Sequence, residues 1–353
     1  MPKKQFSLGK ARRMRRLMTA DNRFCIVALD QRAVLARMLA ELVELDESQI
    51  AFADMLKVKR ILVETLSAPA SAMLFDPNIA TPAALDILPR DTGLLVALEH
   101  HIVEETGAGR VTRSIPDWSI EKIQALGADG VKVLIWYHPD AETDICRRQQ
   151  DYVRSVGQQC KSADMPYVLE LLAYTPESIR INSPSADAPN PSSVPVADMP
   201  DVVLRSVQEF VKPEYAVDLL KLESPVPSAA RNSDTDDAAT LRAFVDIGAV
   251  CAKADIPWVL LSAGVTTEEF LEQLAYAYQG GAQGFLAGRA IWKAPLKNYP
   301  DFARTRESMQ QQGAEALARL IALTQRQGNP YQLATADQSS ISREGDFAKK
   351  YQA

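Results

Sequence analysis

The sequence predicts a single (β/α)8 barrel, the TIM-barrel class of α/β fold, and three observations predict it. Eight apolar, strand-length runs recur along the 353 residues. The runs are continuous rather than alternating, as in strands buried on both faces. Helix-period segments separate them, which is the strand–helix alternation of the closed eightfold barrel. An open, doubly wound sheet usually carries a glycine-rich fingerprint after its first strand, and Ala28-Leu29-Asp30-Gln31-Arg32 has none. Hydrophobic residues make up 47% of the chain, enough for a full core, and no linker argues for a second domain.

The elements follow in order. The N-terminus is basic (Lys3, Lys4, Lys10, Arg12, Arg13, Arg15, Arg16), and Leu8, Met14, Leu17 and Met18 suggest an apolar face. No signal-peptide apolar segment follows, and the apolar face favours a solvated leading helix over a transit peptide. The first run is 24–30, with a helical stretch at 47–67, and the second is 70–76. The third, 93–99, precedes helix 117–126, and the fourth, 130–137, precedes helix 143–163. The fifth run, 166–174, leads into 183–200, a stretch rich in Pro, Ser and Asp. That stretch reads either as an excursion at the active-site end or as a surface loop. Helix 199–211, run 216–223 and helix 236–254 follow. Run 257–264 ends before Thr266-Thr267-Glu268-Glu269, a helix start with acidic residues in its first turn. The eighth run, 283–289, is followed by helix 302–326. The barrel with its leading helix spans 1–330, and 331–353 reads as a polar C-terminal tail.

Composition excludes several classes. A net charge of −6 argues against a nucleic-acid footprint, and no run is long enough to cross a membrane. Cys25, Cys146, Cys160 and Cys251 have no paired spacing and fit reduced thiols in the cytoplasm rather than a disulfide frame or a zinc site. His100, His101 and His138 lack metal-ligand spacing. Adjacent strand residues point opposite ways, so His100 and His101 are expected to be poor co-ligands. No metal and no cofactor are predicted.

Function in such a barrel sits at the C-terminal ends of the strands. The polar residues there are Asp30, Asp76, Glu99, Glu170, Lys221, Glu223, Ser262 and Arg289, with Lys132 earlier in its run. Lys221 is the most informative. It lies inside Ala216-Val217-Asp218-Leu219-Leu220-Lys221-Leu222-Glu223, where burial strips an ammonium of hydration and favours the neutral, nucleophilic amine. Period-two alternation puts Glu223 on the same face as Lys221. A lone strand lysine is more often a snorkelling residue or half of a core ion pair. Lys132, Glu170 and Lys221 in three successive runs favour a catalytic constellation over a purely structural ion network. A second signal lies in the last two runs. Leu261-Ser262-Ala263-Gly264 and Ala287-Gly288-Arg289 end them with small residues and an arginine, in the loops where barrels commonly bind phosphate.

These stretches resemble the class I tagatose-1,6-bisphosphate aldolases, which have sulfofructose-phosphate aldolases as relatives. The matching segments are Ala28-Leu29-Asp30-Gln31-Arg32, Gly127-Ala128-Asp129-Gly130-Val131-Lys132, Leu169-Glu170-Leu171-Leu172-Ala173-Tyr174, Asp218-Leu219-Leu220-Lys221-Leu222-Glu223, Leu261-Ser262-Ala263-Gly264-Val265 and Gly288-Arg289-Ala290. They occur in family order over most of the chain. The resemblance implies a metal-independent aldehyde-lyase in which Lys221 forms an imine and Glu170 moves protons. It implies that Lys132 and Asp30 line the site, and that Gln31 and Arg32 touch substrate. Ser262, Gly264, Gly288 and Arg289 would cradle the ketose 1-phosphate. Arg32 is a candidate for the far end of the substrate, and Glu223 is expected among the binding residues. The substrate implied is a sugar phosphate, most directly tagatose 1,6-bisphosphate, with a sulfofructose phosphate as the alternative and a non-catalytic sugar-phosphate sensor as the rival from another class. The resemblance also implies a homo-oligomer, while the charge and the short apolar runs predict neither nucleic-acid nor membrane partners. The chain departs from the tagatose enzymes at 183–200 and at His100-His101.

Overall fold

A computed structural model describes residues 4–106, 108–176, 194–228, 237–336 and 341–351. Eight parallel strands close into a barrel: β1 (Phe24–Leu29), β2 (Ala72–Phe75), β3 (Gly93–Ala97), β4 (Gly130–Trp136), β5 (Tyr167–Leu172), β6 (Leu219–Leu222), β7 (Trp258–Leu260) and β8 (Gly284–Ala287). They pair in chain order, and β8 closes onto β1 through Gly284↔Phe24 to Ala287↔Val27. Each predicted run contains one strand. Asp30, Asp76, Glu99, Glu223, Ser262 and Arg289 fall just beyond strand ends, where side chains are no longer required to pack between sheet and helices.

Two apolar cores follow from the alternation of strand side chains. Leu220, Leu222, Val131, Val133, Ile135 and Leu169 face outward, under the helices. Phe24, Ile26, Ala28, Leu74, Leu95, Val168, Leu219, Val259 and Leu286 fill the lumen. The leading helix, Leu8–Arg16, plugs the lumen from below with Ala11 and Met14, and Leu17 and Met18 follow it inward. Leu8 is exposed, contrary to the expected apolar face. It sits in the first turn beside the Ser7 cap, before the helix meets the barrel. The floor is tied further by Gln5–Phe6, which pairs in parallel with Ala334–Thr335. Tyr351 Oη donates to Asp164 Oδ2 at 2.7 Å, so the C-terminal stretch packs against the base of the barrel.

The helices fall mostly where the periodicity places them. Thr267–Gln279 starts on a capping box, in which Thr266 and Glu269 satisfy each other's backbone N–H groups. The helix Ala33–Val43 and the hairpin of Glu104–Thr106 with Gly109–Val111 are additions that the runs did not announce. Most of the 183–200 stretch lies outside the described residues; helix Met199–Phe210 begins at its end. No helix among the described residues is long and apolar enough to cross a membrane.

Candidate active site

Strand parity decides which charged groups enter the lumen. Leu219 is a lumen residue, so Lys221 points inward as well; Val168 does the same for Glu170. Val131 and Val133 face the helices, which leaves Lys132 inside. Register then brings the three together. Glu170 stands opposite Lys221 on the neighbouring strand, and Lys132 stands opposite Val168, one inward layer lower.

Glu170 Oε2 lies 2.8 Å from Lys221 Nζ and 2.7 Å from Lys132 Nζ. Lys132 also donates to Asp30 Oδ2 at 2.8 Å and to Glu99 Oε1 at 2.7 Å. Burial works against its charge, but Asp30, Glu170 and Glu99 outweigh burial and hold its ammonium well above the usual lysine range. Lys132 is therefore a fixed cation. The balance also favours charge at Asp30: burial pushes its carboxyl up, yet Lys132 and Lys221 bring it below the ordinary value. At Glu99 burial prevails and the carboxyl is raised.

A cavity of about 220 Å³ opens above this charged floor. Its wall includes Ala28, Gln31, Trp136, Glu170, Leu172, Lys221, Glu223, Ser262, Gly288 and Arg289. Glu223, two residues beyond Lys221, accepts a hydrogen bond from the Ala173 N–H on Oε1. Burial, with the nearby charge of Glu170, pushes its carboxyl up to about 8. Larger hollows occur on the outer wall. The one of about 730 Å³ beside Tyr137 has its cations already committed, Arg205 to Asp140 and Lys212 to Glu209.

The far wall of the cavity is built from backbone. Gly264 has φ +87°, a conformation that disfavours L side chains. A Cβ there would stand 2.9 Å from Arg289 Cζ, so the guanidinium lies directly across the glycine. Gly288 precedes the short helix Arg289–Trp292, and a Cβ on it would meet the Ala28 carbonyl oxygen at 2.7 Å. Burial lowers the proton affinity of Arg289, against the opposing pull of Asp30 and Glu170. The arginine makes no ion pair among the described residues, and it is aimed at the same space as Lys221.

The sequence-predicted residues thus separate into rows. Lys221, Glu170, Glu223, Gln31, Ser262, Gly288 and Arg289 line the cavity; Lys132, Asp30, Gly264 and Arg32 do not. Lys132 is 1% exposed and acts through the carboxylates it holds. Gln31 Nε2 donates to Asp30 Oδ1 at 3.1 Å. Arg32, expected near the mouth, is buried; Nη2 donates to the Glu99 carbonyl at 2.8 Å. Among the described residues its Nε and Nη1 have no partner, nor do Glu99 Oε2 and Gln31 Oε1.

Three participants escaped the sequence reading. Lys59, on the helix Phe52–Leu66, is buried and donates to the Gln31 carbonyl at 2.8 Å and to Asp76 Oδ2 at 3.4 Å, fixing the loop after β1. Nothing separates it in sequence from a surface helix lysine. Trp136 could have been found, because it has the same inward parity as Lys132. Arg110, from the hairpin after β3, stacks 4.6 Å over the Trp136 ring and 5.2 Å over Tyr174, with no sequence signal at all. The His100 and His101 rings stack at 4.7 Å instead of pointing apart, because they lie in a bend past the strand end.

Comparison with known proteins adds a separate line. The pattern of the DeoC/LacD family aldolases matches residues 24–294. Tagatose 1,6-diphosphate aldolase 2 of Enterococcus faecalis is 33% identical over 309 residues, which is 84% of this chain and 87% of that protein. Tagatose 1,6-diphosphate aldolase 1 of Streptococcus mutans is 32% identical, covering 81% and 86%. Among solved structures, a fructose-bisphosphate aldolase from Plasmodium falciparum superposes with a TM-score of 0.62 at 15% identity, over 93% of this chain and 98% of that one. An archaeal fructose 1,6-bisphosphate aldolase superposes with a TM-score of 0.52 at 16% identity, over 86% and 99%. The structural likenesses establish the fold alone.

Proposed function

We propose that this chain, which belongs to the DeoC/LacD family of aldolases, cleaves tagatose 1,6-bisphosphate through an imine on Lys221, releasing dihydroxyacetone phosphate and a three-carbon aldehyde. The observation that carries this reading is the Lys221 Nζ to Glu170 Oε2 contact of 2.8 Å on the floor of a cavity walled by Ser262, Gly288 and Arg289.

Each part of the site has a task. Lys221 passes its proton to Glu170, and the freed amine attacks the C2 carbonyl. Glu170 returns that proton to the departing hydroxyl, water leaves, a protonated imine forms and Glu170 is a carboxylate again. Lys132 remains charged and keeps Glu170 pointed at the reacting atoms. Glu170 accepts the C4 hydroxyl proton, the C3–C4 bond breaks, and its electron pair flows into the iminium. General acid–base help of this kind contributes about 10²–10⁴-fold. The 1-phosphate rests on the backbone of the Ser262 and Gly288 loops with Arg289 across it. Arg32 lies behind the cavity wall, and its two nitrogens that have no partner among the described residues are the reason to keep it as a candidate for the far phosphate.

Borohydride added with substrate tests the reading. The expected product is a three-carbon phosphate adduct on Lys221, read by peptide mass. An adduct on a different lysine, or none, overturns the mechanism.

A further inference from the structure

The cleavage step leaves a second proton transfer without an owner. Once the aldehyde has departed, the three-carbon fragment is an enamine on Lys221, and C3 must gain a proton before water can release the product. Glu170 is badly placed to give it. One of its oxygens is held by both Lys132 and Lys221, which keeps it at the side of the amine.

Glu223 differs on each count. It faces the same cavity and sits on the same strand face as Lys221, one inward layer nearer the mouth. Glu170 approaches the amine from the side, on the neighbouring strand; Glu223 approaches from above. Its Oε1 is anchored by the Ala173 N–H, which aims the carboxyl without neutralising it. Among the described residues no cation pairs with it, and burial together with Glu170 keeps it largely protonated at neutral pH. Two carboxyls in one pocket with opposed environments are a recurrent way to separate a base from an acid.

We propose that Glu223 is the acid that protonates the enamine at C3, a catalytic role distinct from the base role of Glu170. This inference rests on the Schiff-base reading above. In the step, the C2=C3 electron pair takes the proton from the Glu223 hydroxyl to form the C3–H bond. The nitrogen lone pair restores the C2=N bond, and Glu223 is left as carboxylate. Water then adds to C2, and the proton it sheds returns to Glu223. The carbinolamine collapses, moving its hydroxyl proton to nitrogen as the C–N bond breaks. In reverse, the carboxylate removes a proton from C3 of bound dihydroxyacetone phosphate.

The test uses Glu223→Gln in the full chain and follows exchange of the C3 hydrogen of dihydroxyacetone phosphate with D2O by NMR. Borohydride trapping is run in parallel. The variant is expected to lose exchange by about 100-fold or more while still forming the adduct on Lys221. It should also release aldehyde in a single-turnover burst, with a much slower steady state. Glu223→Asp, which keeps the acid but withdraws it by one methylene, should recover part of the exchange. Exchange near the wild-type rate in Glu223→Gln overturns the proposal. So does loss of trapping in both folded variants, since Glu223 would then be needed before the enamine exists. Failure of the unaltered protein to trap on Lys221 would instead overturn the Schiff-base reading itself.

Discussion

Two clusters of buried charge occupy opposite ends of the same barrel, and they are built differently. At the base, Asp218 accepts from Lys4 and Lys10 at 2.7 Å each and from the Tyr167 N–H at 2.9 Å. Burial pushes its carboxyl up, but the two lysines bring it below the ordinary value. Toward the mouth, three residues further along the chain, Lys221 enters a network in which Gln31 Oε1, Arg32 Nε and Nη1 and Glu99 Oε2 are buried without partners among the described residues. A half-satisfied polar network destabilises a fold unless something else repays it. The base cluster is complete as it stands. The mouth cluster keeps unpaired groups among the described residues, which fits the proposed reading of a site for a polar substrate.

The contrast can be broken from either end, and the largest effect is expected at the mouth. Lys221→Met should lower kcat by about 10⁴-fold or more and abolish borohydride trapping. The fold should survive, because Lys132 still holds Glu170; circular dichroism with steady-state assays checks both. Asp218→Ala should do the opposite. It strands Lys4, Lys10 and a backbone N–H, a loss of about 3–5 kcal/mol in denaturant unfolding. The remaining folded protein should keep its kcat/KM.

A smaller effect sharpens the comparison. Arg32→Met should raise KM for a bisphosphate by about 10–100-fold, in line with the loss of charge-assisted hydrogen bonds. KM for a substrate lacking the second phosphate should change little, and the melting temperature should hold or rise. A fall in stability like that of Asp218→Ala would show that Arg32 belongs to the structural class instead.

The least local effect is in pH dependence. The unfolded chain loses the Glu223 proton near 4.5, whereas the folded protein keeps it up to about 8. Folding therefore takes up a proton in that window. Stability should fall as pH rises from roughly 5 to 8 and level off above, by at most about 1.4 kcal/mol per pH unit. Glu170 and Lys221 are the charged groups that share the cavity with this carboxyl. In Glu223→Gln the slope should flatten, as measured by urea midpoints across the range.

The barrel was legible because strands buried on both faces must be apolar throughout, so each polar residue inside or ending a run stood out. That is how Lys132, Glu170, Lys221 and Arg289 could be singled out. Periodicity also separated Lys221 and Glu223 from Leu220 and Leu222. What stayed hidden was three-dimensional. A helix lysine such as Lys59 looks solvent-facing until the strand loop beneath it is placed. Arg110 depends on a hairpin whose position over β4 no local pattern encodes. Arg32 read as a mouth residue because it follows a strand end; the chain turns inward there, and Glu99 captures it from the side.

Trp136 carries one more consequence. Its indole forms part of the cavity wall while Arg110 stacks against the ring. A ligand entering the cavity therefore changes the electric field and solvation around a chromophore that is already fixed in place. Intrinsic fluorescence should report occupancy without any label. Trp118 and Trp258 do not line the cavity, and Trp292 sits behind the wall with its Nε1 donating to the Ala28 carbonyl, so most of the signal should be lost in Trp136→Phe.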